Sequence, residues 1–125
     1  MLETGIDIID VSRVARSIGN PAFLEKYFHP VEIAYCGEGA HSAQHFAVRF
    51  AAKEAVRKVL LSHVDTLSWR DSWIENDESG KPHLVFSEKL LSRIRIRAAS
   101  VSLSHTKDTA AAIVLIDLEA PESKS

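Results

Sequence analysis

The chain has 125 residues, of which 46% are hydrophobic and 26% are charged, and its formal net charge is −2. This length fits one domain of ordinary globular composition, without the apolar run of a membrane span or the positive charge of a dedicated nucleic-acid binder. The single cysteine, Cys36, excludes an internal disulfide and, with an amino terminus unlike a secretory signal, predicts a cytoplasmic protein.

The opening segment is predicted to be a strand that leads into a short helix. Residues 2–9 include three isoleucines, which favour a β-strand. Asp10 is a suitable N-cap for the helix that follows. That helix is predicted to bury Val11, Val14, Ala15 and Ile18.

Three further helices are predicted before the middle of the chain. Pro21 suits the first turn of a short helix over residues 22–28, because the amide hydrogen that proline lacks has no partner there. A second short helix is predicted over residues 30–35, with glycines after it. The third is long, covers residues 42–61 and has no internal glycine or proline.

The next segment is predicted to be a β-hairpin followed by a helix. Residues 67–76 and 82–86 have strand composition, and the Asp-Glu-Ser-Gly sequence between them is typical of a turn. Ser87 is a suitable cap for a helix that is predicted to end at Arg97.

The carboxy-terminal part of the domain is predicted to be a second hairpin, with strands over residues 99–106 and 110–118. Residues 120–125 are predicted to be a disordered tail, which leaves residues 1–119 as a single domain. The order of elements predicts an α+β fold, in which an antiparallel-rich sheet is covered by one long and several short helices.

Two acidic residues are predicted to lie on packed elements. Asp7 stands among the isoleucines of the first strand, where an ionised carboxylate is costly unless it is paired or binds a metal; a solvent-facing aspartate is the alternative. On the long helix, Glu54 falls at the centre of an apolar face. That face consists of Ala47, Phe50, Ala51 and Leu61. Because magnesium is typically held by one or two carboxylates and substrate phosphates, the two acids together predict a magnesium site.

The long helix also carries a stripe of basic residues. Arg49, Lys53 and Arg57 follow one another at four-residue spacing, where like charges repel. Either water solvates these charges, or an anionic ligand relieves the repulsion between them. Similarly, Lys58 one turn after Glu54 is explained either by an ion pair within the helix or by a role in the site.

Four blocks of sequence, in order, resemble the bacterial holo-acyl-carrier-protein synthases. They are GIDIIDVSRV at residues 5–14, RFAAKEAVRK at 49–58, GKP at 80–82 and VSLSHT at 101–106. The block on the long helix is highly specific, whereas Gly-Lys-Pro alone is weak. The resemblance covers roughly residues 4–118.

The resemblance implies the 4′-phosphopantetheinyl transferase fold and a homotrimer with active sites at subunit interfaces. The implied reaction transfers 4′-phosphopantetheine from coenzyme A to a serine of apo-acyl carrier protein, in support of fatty acid biosynthesis. It further implies that Asp7 and Glu54 bind magnesium, and that these two acids and Lys58 are catalytic.

The resemblance also implies two sets of binding residues. Arg13 and Arg16 on the first helix would dock the acidic carrier protein. The implied coenzyme A contacts are Arg49, Lys53, Gly80, Lys81, Pro82, Ser104 and His105.

One departure from the family pattern and two alternative functions qualify this interpretation. Residues 59–63, VLLSH, replace a glycine-containing turn that is common in the family, which predicts altered contacts to the nucleotide. A family member that binds carrier protein or coenzyme A without turnover is the main alternative. A zinc hydrolase is a weaker one, because Cys36, His41 and His45 are loosely spaced and lack a fourth ligand.

Overall fold

The structure is a computed structural model that describes residues 1–119, so the predicted tail at 120–125 lies outside the described residues. Its elements confirm the α+β class, with antiparallel sheets and one long helix. In chain order they are β1 (Leu2–Asp10), α1 (Val11–Ala15), α2 (Pro21–Tyr27), α3 (Pro30–Cys36), α4 (Ser42–Leu60), a 3₁₀ helix (Trp69–Asp71), β2 (Ser72–Asn76), β3 (Pro82–Phe86), α5 (Glu88–Leu91), β4 (Ile96–His105) and β5 (Thr109–Leu118).

The strands form a three-stranded sheet in the order β1-β5-β4 and a separate hairpin of β2 and β3. Helix α4 lies against the inner face of the larger sheet, where alternate residues of β5 are buried. On β1 the same alternation turns Gly5, Asp7 and Ile9 inward, and the large side chains of Ile6 and Ile8 outward. None of the helices within residues 1–119 is long and apolar enough to cross a membrane.

Gly5 allows β1 and α4 to approach each other closely. A β-carbon at this position would overlap the carbonyl oxygen of Ala55 and would lie 3.0 Å from a methyl group of Val59. Glycine is therefore required by the space between the two elements. This close approach brings the strand that carries Asp7 against the helix that carries Glu54.

The outer face of the three-stranded sheet is not covered by another element of the described chain. Ile6 and Ile8 are 64% and 69% exposed on this face, and Leu2 and Ile113 are also exposed. Across β5, Ile8 and Ser104 are both in register with Ala111. Apolar residues thus form the middle of an open β-surface.

The strand predicted from Leu67 is shorter than expected and begins at Ser72. Residues 69–71 form a 3₁₀ helix instead, because Ser68 and Asp71 make a capping box: the Ser68 side chain accepts from the helix backbone and Asp71 accepts from the Ser68 amide. The local hydrogen bonds of this box compete with strand pairing.

Two helix predictions also need correction. Helix α5 ends at Leu91 instead of Arg97, because β4 already begins at Ile96 and pairs with the end of β5. Asp10 occupies the N-cap position of α1, but its side chain makes no capping hydrogen bond. Four side chains of this helix were predicted to be buried. Val11 and Val14 are buried, Ile18 is half-buried and Ala15 is exposed.

Candidate active site

The carboxylate of Asp7 is held between β1 and α4. The residue is 8% exposed, and its Oδ1 accepts a hydrogen bond of 2.8 Å from the ammonium of Lys58. That ammonium also donates to the carbonyl of Ile6, at 2.8 Å. Asp7 Oδ2 is buried and has no hydrogen-bond partner in the structure. One oxygen of the carboxylate is therefore fixed and the other is available to a ligand.

Glu54 lies beside Asp7 and is half-buried on α4. The pKa of Glu54 is raised, first by burial and then by the hydrogen bond and the negative charge of Asp7, while Arg13 and Lys58 act in the opposite direction. Two ionised carboxylates cannot hydrogen-bond to each other, so that bond forms only when one of them holds a proton. Without that proton the two neighbouring negative charges repel each other, and Arg13 and Lys58 offset part of this repulsion.

Arg13 on α1 makes the direct contact to Glu54. Its guanidinium lies 3.3 Å from Glu54 Oε1 and stands over the ring of Phe50, 5.3 Å from the ring centroid. The intrahelical pair of Glu54 with Lys58 is thus replaced by partners from two other elements, α1 for the glutamate and β1 for the lysine.

The Asp7–Glu54 pair provides the small number of carboxylate ligands that magnesium needs from a protein. Magnesium keeps several waters and is bound by one or two carboxylates plus substrate phosphates. Within residues 1–119, no group of three or more His, Cys, Asp or Glu could hold a metal. A buried, unpartnered oxygen on Asp7 next to a second carboxylate matches the smaller magnesium requirement.

Arg49 and Lys53 of the basic stripe on α4 are buried and Arg57 is half-buried, so the stripe is not the solvated surface that one of the two explanations required. Lys53 is 2% exposed and donates to the carbonyls of Trp69, at 3.0 Å, and Ser72; its ammonium lies 2.9 Å from Glu32 Oε1. Burial lowers the pKa of Lys53, opposed by the charge and hydrogen bond of Glu32. Its polar atom is satisfied inside the chain, so this position does not support the predicted coenzyme contact of Lys53.

Arg49 is buried at the other end of the stripe. Its guanidinium donates to the carbonyl of His45, at 2.9 Å, and to Asn76 Oδ1, at 2.7 Å, and lies over the ring of Tyr35. Its Nε has no hydrogen-bond partner in the structure. Asn76 in turn donates to the carbonyl of Gly80, at 3.0 Å. Arg49 thus connects α4 to the Gly-Lys-Pro turn.

Arg57, the last member of the stripe, is half-buried, whereas the end of the helix is more exposed than expected. Arg57 donates to the carbonyl of Leu67, at 2.7 Å, and lies over the ring of Trp69. Leu61, predicted on the buried face, is exposed at the end of α4. Helix α4 is enclosed on most of its circumference, so a division into one apolar buried face and one charged exposed face does not describe it.

The Gly-Lys-Pro segment closes the β2–β3 hairpin. Gly80 has a φ of 88°, a conformation that favours glycine. Asp77 Oδ1 accepts from the amides of Ser79 and Lys81, and these hydrogen bonds fix the turn. Lys81 is exposed, and Pro82 begins β3.

Ser104 and His105 lie at the end of β4, and both are exposed. Asp7 pairs with Ala112 of β5, which also pairs with Leu103 of β4. Two strand spacings of about 4.8 Å therefore separate β1 from β4. Within one chain, Ser104 and His105 therefore lie on neither of the elements that carry Asp7 and Glu54. His105 instead neighbours His45, with ring centroids 6.4 Å apart.

Several contacts of the site were missed by sequence reasoning. Glu32, the partner of Lys53, belongs to a short helix with no evident link to α4; its only signal is its place three residues after His29, in a capping box. The Arg13–Glu54 and Arg49–Asn76 contacts join residues 41 and 27 positions apart, for which the sequence has no signal.

A family model described as the 4′-phosphopantetheinyl transferase superfamily matches residues 3–114. Among similar sequences, the holo-[acyl-carrier-protein] synthase of Geobacter sulfurreducens is 42% identical over 124 residues, covering 94% of this chain and 97% of the relative. The synthase of the same name from Moorella thermoacetica is 40% identical over 121 residues, covering 94% of each chain.

Solved structures agree with these sequence matches. The holo-[acyl-carrier-protein] synthase of Helicobacter pylori, solved in complex with coenzyme A, superposes with a TM-score of 0.81 at 29% identity, covering 92% of this chain and all of that one. The synthase from Neisseria meningitidis gives a TM-score of 0.78 at 29% identity, with 91% and 96% coverage.

Proposed function

Because the chain belongs to the 4′-phosphopantetheinyl transferase superfamily, we propose that it transfers the 4′-phosphopantetheine group of coenzyme A to a serine of apo-acyl carrier protein. The products are holo-carrier protein and adenosine 3′,5′-bisphosphate, and the pathway served is fatty acid biosynthesis. The observation that carries the proposal is the buried Asp7 carboxylate, with one free oxygen, beside Glu54.

Asp7 and Glu54 are the residues that would hold magnesium in this reaction. When bound, the ion supplies Lewis-acid polarisation of the pyrophosphate of coenzyme A and neutralises its charge. Lys58 fixes the orientation of Asp7 through its hydrogen bond to Oδ1. The two acids therefore contribute binding and alignment, which dominate catalysis of phosphoryl-type transfer.

Glu54 is the proposed acceptor of the serine proton, directly or through a water. Its carboxylate lies beside Asp7 at the proposed magnesium site, so it is placed to take a proton from a serine brought to that site. The serine oxygen forms a bond to the phosphorus that carries the pantetheine arm, and the bond from that phosphorus to the bridging oxygen breaks. The electron pair leaves with adenosine 3′,5′-bisphosphate, where the half-exposed ammonium of Lys58 would stabilise the charge.

The positions of the proposed coenzyme contacts favour a site shared between subunits. Ser104 and His105 stand on β4, and Gly80, Lys81 and Pro82 on the hairpin, whereas the acids lie on β1 and α4. A second copy could bring the two groups together. The open outer face of the sheet, with Ile6 and Ile8 exposed, offers an apolar surface for such a copy, and we propose the homotrimer on this basis.

The proposed protein partner is an acyl carrier protein, docked on α1. Arg13 and Arg16 are exposed there, and Arg13 reaches the active-site Glu54. A positive surface that borders the acids is suited to an acidic carrier that delivers its serine to the same place. The buried, reduced Cys36 agrees with the proposed cytoplasmic location.

A mass assay tests the proposed function. Apo-carrier protein, coenzyme A, magnesium and the enzyme should give carrier with the mass of one phosphopantetheine added, and none when a chelator replaces magnesium. A carrier with its serine changed to alanine should gain nothing. Glu54→Gln should remain folded and largely lose turnover. Coenzyme A binding without any mass gain would instead support the non-catalytic alternative.

A further inference from the structure

Two of the three most deeply buried charged residues among residues 1–119 lie next to the candidate active site but do not belong to it. Glu32 on α3 is 0% exposed and Lys53 on α4 is 2% exposed, and their side chains meet at 2.9 Å. Each group is saturated. Glu32 accepts from the amides of His29, at 3.0 Å, and Ile74, at 3.1 Å, while Lys53 donates to two further carbonyls.

Stability alone is a poor explanation for this pair. Removing two charges from water carries a large desolvation penalty, and apolar residues of similar volume often stabilise a core as well or better. A saturated ion pair adds a directional constraint to the packing, because each of its hydrogen bonds restricts the donor–acceptor angle as well as the distance. Lys53 uses its ammonium to tie α4 to α3, to the 3₁₀ helix and to β2 at once.

The next residue along α4 is Glu54, and this adjacency gives the tie a consequence. Consecutive helical side chains diverge by about 100°, so Lys53 faces α3 and β2 while Glu54 faces α1 and β1. A rotation of α4 by about 20° would carry a side-chain end at a radius of about 6 Å through about 2 Å. Magnesium requires ligand oxygens at about 2.0–2.1 Å in near-ideal geometry, so such a shift would separate its ligands.

We infer that Glu32 and Lys53 are positioning residues, which fix the rotation of α4 so that Glu54 and Asp7 face the same ion. This inference rests on the proposed function and assigns Lys53 a role other than coenzyme contact. On the opposite side of the helix, the contact of Gly5 with Ala55 sets the separation of α4 from β1. The ion pair sets the rotation and the glycine sets the distance.

The test uses the full chain with Lys53→Met, Glu32→Gln and the double variant, and measures magnesium binding by calorimetry as well as transfer. The double variant leaves no buried unpaired charge and so keeps the test valid if Lys53→Met fails to fold. We expect the double variant to fold, to bind magnesium at least tenfold more weakly than the wild type and to have a kcat at least tenfold lower. The carrier KM should change less than twofold, because α1 is not displaced. Lys89→Met, at an exposed lysine, is the matched control.

The outcomes separate the two proposals. Wild-type protein that neither binds magnesium nor transfers the arm would overturn the proposed function. Wild-type activity combined with wild-type magnesium affinity in the folded double variant would overturn the positioning role and leave the pair as a structural contact. Recovery of stability in the double variant, without recovery of magnesium affinity, would support the inference.

Discussion

The ammonium of Lys58 lies 2.8 Å from one carboxylate oxygen of Asp7, and it leaves the other oxygen buried and free. The lysine thereby fixes the direction in which the free oxygen points. Because Lys58 is 57% exposed while Asp7 is buried, the ammonium stands at the solvent side of the acid, where the pyrophosphate would enter. Under the proposed function, one side chain would both orient a metal ligand and contact the substrate.

Replacement of Lys58 by Gln should lower kcat about 100-fold, which corresponds to about 2.7 kcal/mol of transition-state stabilisation. The free energy of unfolding should fall by about 1–3 kcal/mol, because the buried Asp7 carboxylate loses its ammonium partner. Initial rates of carrier mass gain and urea unfolding measure the two effects. Lys89→Gln serves as control, and a kcat within threefold of wild type would contradict the assignment.

Charge reversal on α1 should separate docking from chemistry. Arg16→Glu should raise the KM for carrier protein about tenfold, because the acidic partner meets a repulsive charge, and leave the KM for coenzyme A unchanged. Arg13→Glu should raise the same KM and also lower kcat, because Arg13 contacts Glu54 at 3.3 Å. Steady-state kinetics with each substrate varied will show the difference. Equal changes in both KM values for Arg16→Glu would contradict docking on this helix.

Gly5→Ala should weaken both the fold and the metal site. The added methyl group would overlap the carbonyl oxygen of Ala55, so β1 and α4 must move apart, at a cost of about 1–3 kcal/mol in unfolding free energy. Magnesium affinity should fall because Asp7 moves with β1. Gly19→Ala is the matched control, since nothing lies within 4 Å of a β-carbon there. Urea unfolding and calorimetry with magnesium measure both effects, and identical behaviour of the two variants would contradict the close approach.

The elements with local signals were predictable from the sequence. β1, α4 and both hairpins were confirmed, because isoleucine content, an uninterrupted helix and turn residues act over a few positions. For Asp7 the sequence left two alternatives, a paired or metal-bound carboxylate and a solvent-facing one, and the structure shows the residue buried. The structure corrected the segments at 67–71 and 92–97, where a capping box and the early start of β4 outweigh composition.

The surroundings of α4 could not be predicted in this way. A helical pattern separates apolar from charged residues, yet Arg49 and Lys53 are buried because Glu32, Asn76 and several backbone carbonyls accept their hydrogen bonds. These acceptors come from α3, the 3₁₀ helix and β2, and their arrangement depends on tertiary structure alone. Charge in a sequence does not reveal whether water or the protein solvates it.

A lysine on the open sheet face should prevent the proposed assembly. Ile8→Lys places a charge in the middle of the exposed apolar surface and should convert a trimer into a monomer, with loss of transfer if the site is shared. Val31→Lys, at an exposed apolar residue on α3, should leave the mass unchanged. Sedimentation equilibrium measures both. An Ile8→Lys protein that remains trimeric would place the interface elsewhere, and a monomeric active wild type would exclude a shared site.

Burial of Cys36 should make the protein less stable in alkali. Burial raises the pKa of this thiol to about 12 from an ordinary value of 9.0, with Arg49 opposing the shift. Above about pH 9 the unfolded chain loses the thiol proton while the folded chain keeps it, so unfolding becomes more favourable as the pH rises. Below that range both states are protonated and the thiol has no effect.

Urea unfolding of wild type and Cys36→Ala at about pH 8 and about pH 10 measures this contribution. The alanine variant should lose about 1 kcal/mol less between the two pH values, because it lacks the titrating group, and the small cavity that it leaves cancels in the difference. Parallel losses in the two proteins would show that the Cys36 thiol ionises as readily in the folded state as in the unfolded one.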